Sequence, residues 1–204
     1  GGLSGQMLDV LGDELPGLQG FAVRNRWLFG PFVRSGLSER PETNAMIRTT
    51  TAVTIVRGGV KANVLPSRAT AMVNFRLHPE DTVEAVVEHA RRAIDDPAIE
   101  LRVVEGRGAS ALSPSEGPAW DALVASIRET HGEMPVAPAL VLGGTDSKHY
   151  GKVADAAYRF APLVMSSEER SRLHGIDERI AVEAYEAMPP FYAALLRRTA
   201  GGGQ

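Results

Sequence analysis

The stretch ATAMVNFRLHPEDTVEAVVEHARRAIDD, residues 69–96, contains two periodicities in direct succession. Over residues 69–77, apolar residues at odd positions alternate with mostly polar residues, which is typical of a half-buried β-strand. Pro79 ends this pattern. Over residues 83–94, apolar residues recur at helical spacing, with acidic residues early and arginines late, as the helix dipole favours. The stretch predicts a strand followed by an amphipathic helix that covers the apolar, odd-numbered face.

Two further segments with strand chemistry flank this pair. Residues 47–56, IRTTTAVTIV, are rich in Thr, Val and Ile, whose branched side chains pack well on a pleated surface. Residues 99–106, IELRVVEG, predict a third strand. The order strand, strand, helix, strand predicts an α+β domain over residues 44–106, with an antiparallel sheet of the split βαβ type and a helix on one face.

The residues before this domain predict a helical lead-in over residues 1–43. It contains two helices, at 6–15 and 21–37, and the second is expected to break at Gly30 and Pro31.

The residues after the domain predict a separate α/β layer. Small, turn-forming residues at 107–117 indicate a domain boundary, so the last domain spans residues 107–204. Its predicted elements, in chain order, are a helix at 119–132, strands at 136–142 and 155–162, and a helix at 181–198 kinked at a pair of prolines.

The composition argues against several classes of partner. The 204 residues include 22 Lys and Arg and 25 Asp and Glu, a formal net charge of -3 without a basic cluster, so nucleic acid is not expected as a partner. No run approaches the roughly 20 apolar residues of a membrane span, so no membrane contact is expected. The sequence leaves the compartment unknown, with the cytoplasm favoured. The chain has no cysteine, so His, Asp and Glu must hold any metal.

His174 is the most suggestive candidate for metal binding. It opens the stretch HGIDE, residues 174–178, just before a predicted helix, and histidine is a common zinc ligand. The alternative is a surface histidine without a metal, because a zinc site needs three or four ligands and this stretch supplies one.

Residues 143–150, GGTDSKHY, form a second candidate site. Gly143 and Gly144 allow a tight turn close to a ligand, and Thr145 and Asp146 place polar groups at the end of a predicted strand. A capped turn between a strand and a helix explains the same residues equally well.

Asn63 and Arg76 form a third candidate. Asn63 lies in the predicted turn between two strands, and Arg76 lies on the polar face of the second strand. Arginine can hold a carboxylate through two parallel hydrogen bonds. The alternative is a solvated face of an antiparallel sheet.

Taken together, these blocks resemble the zinc-dependent aminoacylase and carboxypeptidase superfamily, most closely its carboxypeptidase S branch. Residues 44–86 resemble the lid domain, GGTDSKHY resembles the substrate loop, and the segments YRFAPL (158–163) and RLHGIDERIAVEAY (172–185) resemble the last metal-ligand region. Order and spacing agree over about residues 40–198.

The resemblance implies a role for each candidate residue. His174 matches the last zinc ligand of a site that holds two zinc ions. Asn63 and Arg76 match lid residues that reach substrate, and Gly144 and Thr145 match the loop that contacts it. The implied substrate is a peptide or an N-acyl amino acid, and the implied partner is a second copy of the chain bound through the lid.

The resemblance also shows what this sequence does not contain. Members of the superfamily carry, before the lid, an HxD ligand pair, a bridging aspartate and a Glu-Glu pair with the general base, and none of these motifs is present. We therefore expect the chain to be the C-terminal part of a longer hydrolase and to be inactive alone. The alternative is a non-catalytic module for dimerisation or amino-acid binding.

Overall fold

The computed structural model describes residues 2–200; Gly1 of the predicted lead-in and residues 201–204 of the predicted last domain lie outside the described residues. The chain divides into two compact units. The first comprises the residues up to Leu112 together with Ala139–Gly144, and the second comprises Ser113–Pro138 together with the residues from Thr145 onward. The predicted division into 1–43, 44–106 and 107–204 is a different partition and stays a prediction.

The first unit begins with four helices, α1 (Leu3–Glu14), α2 (Gly17–Arg24), α3 (Arg26–Ser38) and α4 (Pro41–Ala45). Helix α2 packs on both α1 and α3. Gly20 is required at the corner between α1 and α2, because a Cβ there would lie 2.1 Å from the carbonyl oxygen of Leu15. Arg26 of α3 donates two hydrogen bonds to the carboxylate of Asp9 in α1, at 2.5 and 3.0 Å. These bonds lower the pKa of Asp9.

The predicted break at Gly30 and Pro31 is wrong, because α3 continues through Pro31. The residue before a proline normally avoids helical geometry because its Cβ and N–H meet the proline ring, and Gly30 has no Cβ. Pro31 has no N–H to donate to the carbonyl of Trp27, four residues earlier. Both residues lie on the exposed side of α3, and Trp27 is 81% exposed, so water can bond this carbonyl instead.

Strands β1 (Thr50–Gly58) and β2 (Ala69–Arg76) form a two-stranded antiparallel sheet, which confirms the first two predicted strands and the α+β class. The register shifts between Val53 and Ile55, which leaves Thr54 as a bulge. Val53 then pairs with Val73 and Val56 pairs with Ala71. Since directly paired residues share a face, the bulge puts both valines of β1 on the apolar face of β2.

Helix α5 (Val83–Ile94) follows the hairpin and confirms the predicted amphipathic helix. Thr82 caps its N-terminus, because its side-chain oxygen accepts a hydrogen bond from the N–H of Ala85 at 3.1 Å. The hydroxyl of Thr49 accepts a hydrogen bond from the N–H of His78 and donates one to Asp81. These bonds connect the end of the hairpin to the start of α5.

The predicted covering of the strand by the helix is wrong. Residues of β1 and β2 are exposed along nearly their whole length, and Val56 and Val73 are 72% and 37% exposed. The predicted third strand at 99–106 is also absent from the described residues. A strand needs a neighbour for its backbone hydrogen bonds, and residues 99–106 have no ladder partner, so the sheet stays too small to bury a face.

The second unit is built on two packed helices, α6 (Pro118–His131) and α10 (Met188–Ala200). Their buried contact consists of Leu123, Ile127 and Phe191. Glu129 of α6 accepts hydrogen bonds from Arg197 and Arg198 of α10, so an ion cluster joins the helices at the surface. Three short helices lie between them in the sequence: α7 (Ser147–Tyr150), α8 (Ser167–Ser171) and α9 (Val182–Glu186).

The two later predicted strands, at 136–142 and 155–162, are wrong, since neither segment is in a β-ladder in the described structure. Both are apolar enough for strands but have no neighbouring strand to bond. The predicted kink at the proline pair is instead a helix break two residues before Pro189. Ala187 separates α9 from α10, and Pro189 and Pro190 occupy the first turn of α10, where no backbone N–H is needed.

None of the helices that the structure describes is long and apolar enough to cross a membrane.

Candidate metal-ligand and substrate loops

The segment before His174 is held by two local interactions. Ser166 and Glu169 form a capping box around the start of α8: Glu169 accepts from the N–H of Ser166 at 2.8 Å, and its own N–H donates to the Ser166 hydroxyl at 3.2 Å. The bond from the Ser166 N–H lowers the pKa of Glu169. Arg172, at the end of the helix, pairs with Glu168 at 2.5 Å. The chain therefore leaves α8 from an anchored turn.

His174 itself adopts an unusual backbone conformation. Its φ is 61°, in the left-handed region, and Asp177 three residues later has φ 64°. The N–H of Gly175 donates to the carbonyl of Arg172 at 2.9 Å, which closes the turn. The imidazole is exposed to solvent. Left-handed residues other than glycine are uncommon and occur preferentially at functional sites, so this conformation favours a role for the side chain.

The described residues of this chain do not complete a zinc site. Among residues 2–200, no three His, Cys, Asp or Glu side chains lie close enough together to hold a metal ion. His174 has the right donor chemistry and an accessible ring, but a zinc site needs three or four ligands. The described residues therefore supply one ligand of such a site, His174.

Thr145 begins a small hydroxyl cluster in the second unit. Its Oγ1 lies 2.5 Å from Oγ of Ser147 and accepts a hydrogen bond from the N–H of Ser147 at 3.3 Å. The Ser147 hydroxyl also accepts a hydrogen bond from Nε of Arg159. This arrangement presents two hydroxyl groups and a guanidinium together, a combination suited to binding a carbonyl or carboxylate oxygen.

Sequence reasoning did not select Ser147 and Arg159. The available signal was a single arginine inside the otherwise apolar run AAYRFAPLV, residues 156–164. A charged side chain in such a run needs a polar partner, and Ser147 is that partner.

The segment that carries Arg159 is fixed by its neighbours. The hydroxyl of Ser113 accepts from the N–H of Ala157 at 2.8 Å, and the hydroxyl of Tyr158 donates to the carbonyl of Pro114 at 2.7 Å. The ring of Tyr158 packs against Trp120, with centroids 5.8 Å apart. Burial, with a smaller contribution from the charge of Asp121, raises the pKa of Tyr158. Arg159 is therefore positioned by the packing of its neighbours.

Arg76 and the glycine turn come together in the first unit. Nη1 of Arg76, at the end of β2, donates a hydrogen bond to the carbonyl of Leu142 at 3.1 Å. Gly143 and Gly144 follow, and a Cβ at either position would meet no heavy atom within 4 Å. Glycine is therefore not required there by crowding within the chain, and the open space around both residues leaves their backbone accessible.

Asn63 lies in the exposed loop between β1 and β2, whereas Arg76 lies at the other end of β2. At about 3.4 Å per residue, the length of the strand keeps the two side chains apart within one chain. The structure therefore does not bring this predicted pair into one site of a single copy.

Residues 13–102 match the family described as peptidase dimerisation domain. These residues belong to the peptidase dimerisation domain family. It is 40% identical over 178 residues to the N-fatty-acyl-amino acid synthase/hydrolase of Xenopus tropicalis, covering 87% of this chain and 35% of that protein. It is 34% identical over 194 residues to the probable carboxypeptidase S-like 2 of Dictyostelium discoideum, covering 95% and 37%.

The human N-fatty-acyl-amino acid synthase/hydrolase is also similar, at 36% identity over 194 residues, covering 94% of this chain and 39% of that protein. The chain thus spans 35% to 39% of the length of these relatives. No solved structure matches it significantly. The predicted resemblance to carboxypeptidase S-like proteins and their lid domain is confirmed.

Proposed function

We propose that this chain provides the dimerising lid and one metal-ligand loop of an amide hydrolase for N-acyl amino acids or peptides. The observation that carries the proposal is the identity of 34% to 40%, over most of the chain, to proteins named for N-fatty-acyl-amino acids and for carboxypeptidase activity. An N-acyl amino acid and a peptide share an amide bond close to a carboxylate. One type of site can therefore serve both.

In this proposal His174 is one ligand of a site for two zinc ions, and the other ligands lie outside this chain. Arg76 holds the carboxylate of the substrate, because a guanidinium has five N–H donors and the structure shows one of them engaged, with Leu142. Gly144 offers an accessible backbone, and Thr145 offers a hydroxyl oriented by Ser147. Asn63 reaches the site of a second copy.

The activity is tested on the full-length gene product, loaded with zinc, against N-acetyl and N-oleoyl amino acids and blocked dipeptides. We expect release of the free amino acid from at least one class, abolished by a chelator and restored by zinc. The chain of 204 residues is the control and is expected to release none. Failure of the metal-loaded full-length protein on every substrate would contradict the proposal and leave a non-catalytic dimerisation or amino-acid-binding module.

We also propose that the partner is a second copy of this chain, bound through the hairpin. The hairpin lies within the matched dimerisation domain and exposes Val53 and Val56, 62% and 72% accessible, on one face. Both edges of the two-stranded sheet are also unpaired in the described structure. Open edges and an apolar face are the features that strand pairing between copies would cover.

Val56→Lys tests this interface. We expect light scattering to give twice the mass of one chain for the unmodified protein and a weakening of the dimer by about tenfold or more for the variant, since a charge would be buried. Val60→Lys is the matched control, because Val60 is 93% exposed in the loop outside both strands. A monomeric unmodified chain, or equal weakening by both variants, would reject the interface.

A further inference from the structure

The first unit contains a cavity of about 300 Å³ that none of the predicted site residues lines. It lies between α1, α3, the residues that flank the hairpin at 47 and 78–80, and two residues from later in the chain, Leu112 and Leu140. This volume is at the lower end of the range of about 300–1,000 Å³ for small-molecule pockets. The cavity is therefore large enough for part of a ligand.

The wall of the cavity is mainly aliphatic. Its apolar members include Leu8 of α1, Val33 and Leu37 of α3, Ile47 before the hairpin, and two residues from later in the chain, Leu112 and Leu140. The helix residues and Ile47 are partly buried, and Leu112 is 50% exposed. The inner face of α3 thus meets the cavity. Its interior offers carbon atoms more than hydrogen-bonding groups.

The charged groups around the cavity offset one another. Arg26 is paired with Asp9, and the exposed Arg34 and Glu80 at the rim carry opposite charges. Nδ1 of His78 lies 3.4 Å from the N–H of Glu80 and accepts its hydrogen bond. A rim without excess positive charge does not select a phosphate or another anion. The lining instead suits an uncharged apolar group.

We propose that this cavity binds the aliphatic chain of an acyl group, carried by an N-acyl amino acid or a free fatty acid. The inference rests on the proposed function for its substrate class and extends it by locating where the acyl chain binds. A volume of 300 Å³ equals that of about ten liquid water molecules. Because a methylene group is of similar size, the cavity holds a chain of about ten carbons.

Calorimetric titration of this chain with N-acyl glycines tests the proposal without requiring catalysis. The probes are the acetyl, hexanoyl, decanoyl and tetradecanoyl derivatives, with decanoate as the free-acid arm. We expect the affinity to rise by up to about fourfold for each added methylene and to level off beyond decanoyl. Equal binding of decanoyl glycine and decanoate would show that the affinity comes from the aliphatic chain that both ligands share. Stronger binding of decanoyl glycine would show that the amide group contributes as well.

Leu112→Asp provides the test of location. Leu112 lines the cavity and is 50% exposed, so an aspartate there puts a charge on the wall while water can still reach it. We expect the affinity for decanoyl glycine to fall by about tenfold or more, because the charge would lie against the aliphatic chain of the ligand. Leu18→Asp is the matched control, since Leu18 is 85% exposed on α2 and does not line the cavity.

Affinity that does not depend on the length of the acyl chain, or that falls equally in Leu112→Asp and Leu18→Asp, would overturn the proposal. Circular dichroism confirms that each variant is folded. The result is separable from the proposed hydrolase activity. If affinity rises with acyl-chain length but the full-length protein hydrolyses nothing, the proposed hydrolase function is rejected and the acyl-binding site is kept. If acetyl substrates are hydrolysed but affinity does not rise with acyl-chain length, only the acyl-binding site is rejected.

Discussion

Phe191→Ala is expected to lower the free energy of unfolding of the second unit by about 3–5 kcal/mol. Phe191 is 1% exposed and lies at the centre of the contact between α6 and α10. Its ring also packs against Phe160 and Tyr192, with centroid separations of 5.2 and 5.3 Å. The substitution loses the free energy gained by burying the ring. It also leaves a cavity, because the two helices cannot move together enough to fill it.

Denaturation followed by the fluorescence of Trp120 reports this loss, because Trp120 is packed against the same cluster. Leu196→Ala is the control on the same helix. Leu196 is 62% exposed, so its truncation should change stability by less than about 0.5 kcal/mol. Similar effects from the two substitutions would mean that α6 and α10 are not held together by this core. The segment carrying Arg159 should loosen together with the core, since Phe160 packs on Phe191.

His174→Ala is expected to remove at least one equivalent of zinc from the full-length protein and to lower its hydrolytic activity by more than about 100-fold. Loss of a supporting residue around a metal ligand already costs about 10–100-fold in affinity or activity, so loss of a ligand should cost more. Elemental analysis after dialysis and an assay on the best substrate measure the two effects. His89→Ala is the control, because His89 is an exposed histidine on α5.

A second substitution separates the imidazole from its backbone. His174 has φ 61°, which glycine adopts without strain, so His174→Gly preserves the loop and deletes only the side chain. A ligand role requires His174→Gly to be as inactive as His174→Ala. Full activity in the glycine variant would show that the conformation of the loop matters and that the imidazole does not bind the metal.

Several elements could be predicted from the sequence because their determinants are local. Helix α5 has its capping Thr82, its early acid and its late arginines within one stretch, and it forms where it was expected. Strand β2 alternates in polarity, β1 is rich in branched residues, and the two strands pair with each other across a single loop. The position of His174 on a loop between short helices was also readable, whereas its left-handed backbone was not.

The sequence by itself thus determined the hairpin, α5, the helix pair that frames the second unit, and the kinship to a dimerisation domain. The tertiary structure decided which apolar segments became strands. Residues 99–106, 136–142 and 155–162 have strand composition but no ladder partner in the described structure. It also decided the contact between Arg159 and Ser147, and the cavity beside Gly30. The reason is physical: helices and caps form from bonds between near neighbours, whereas strands, sites and cavities require groups distant in sequence to meet.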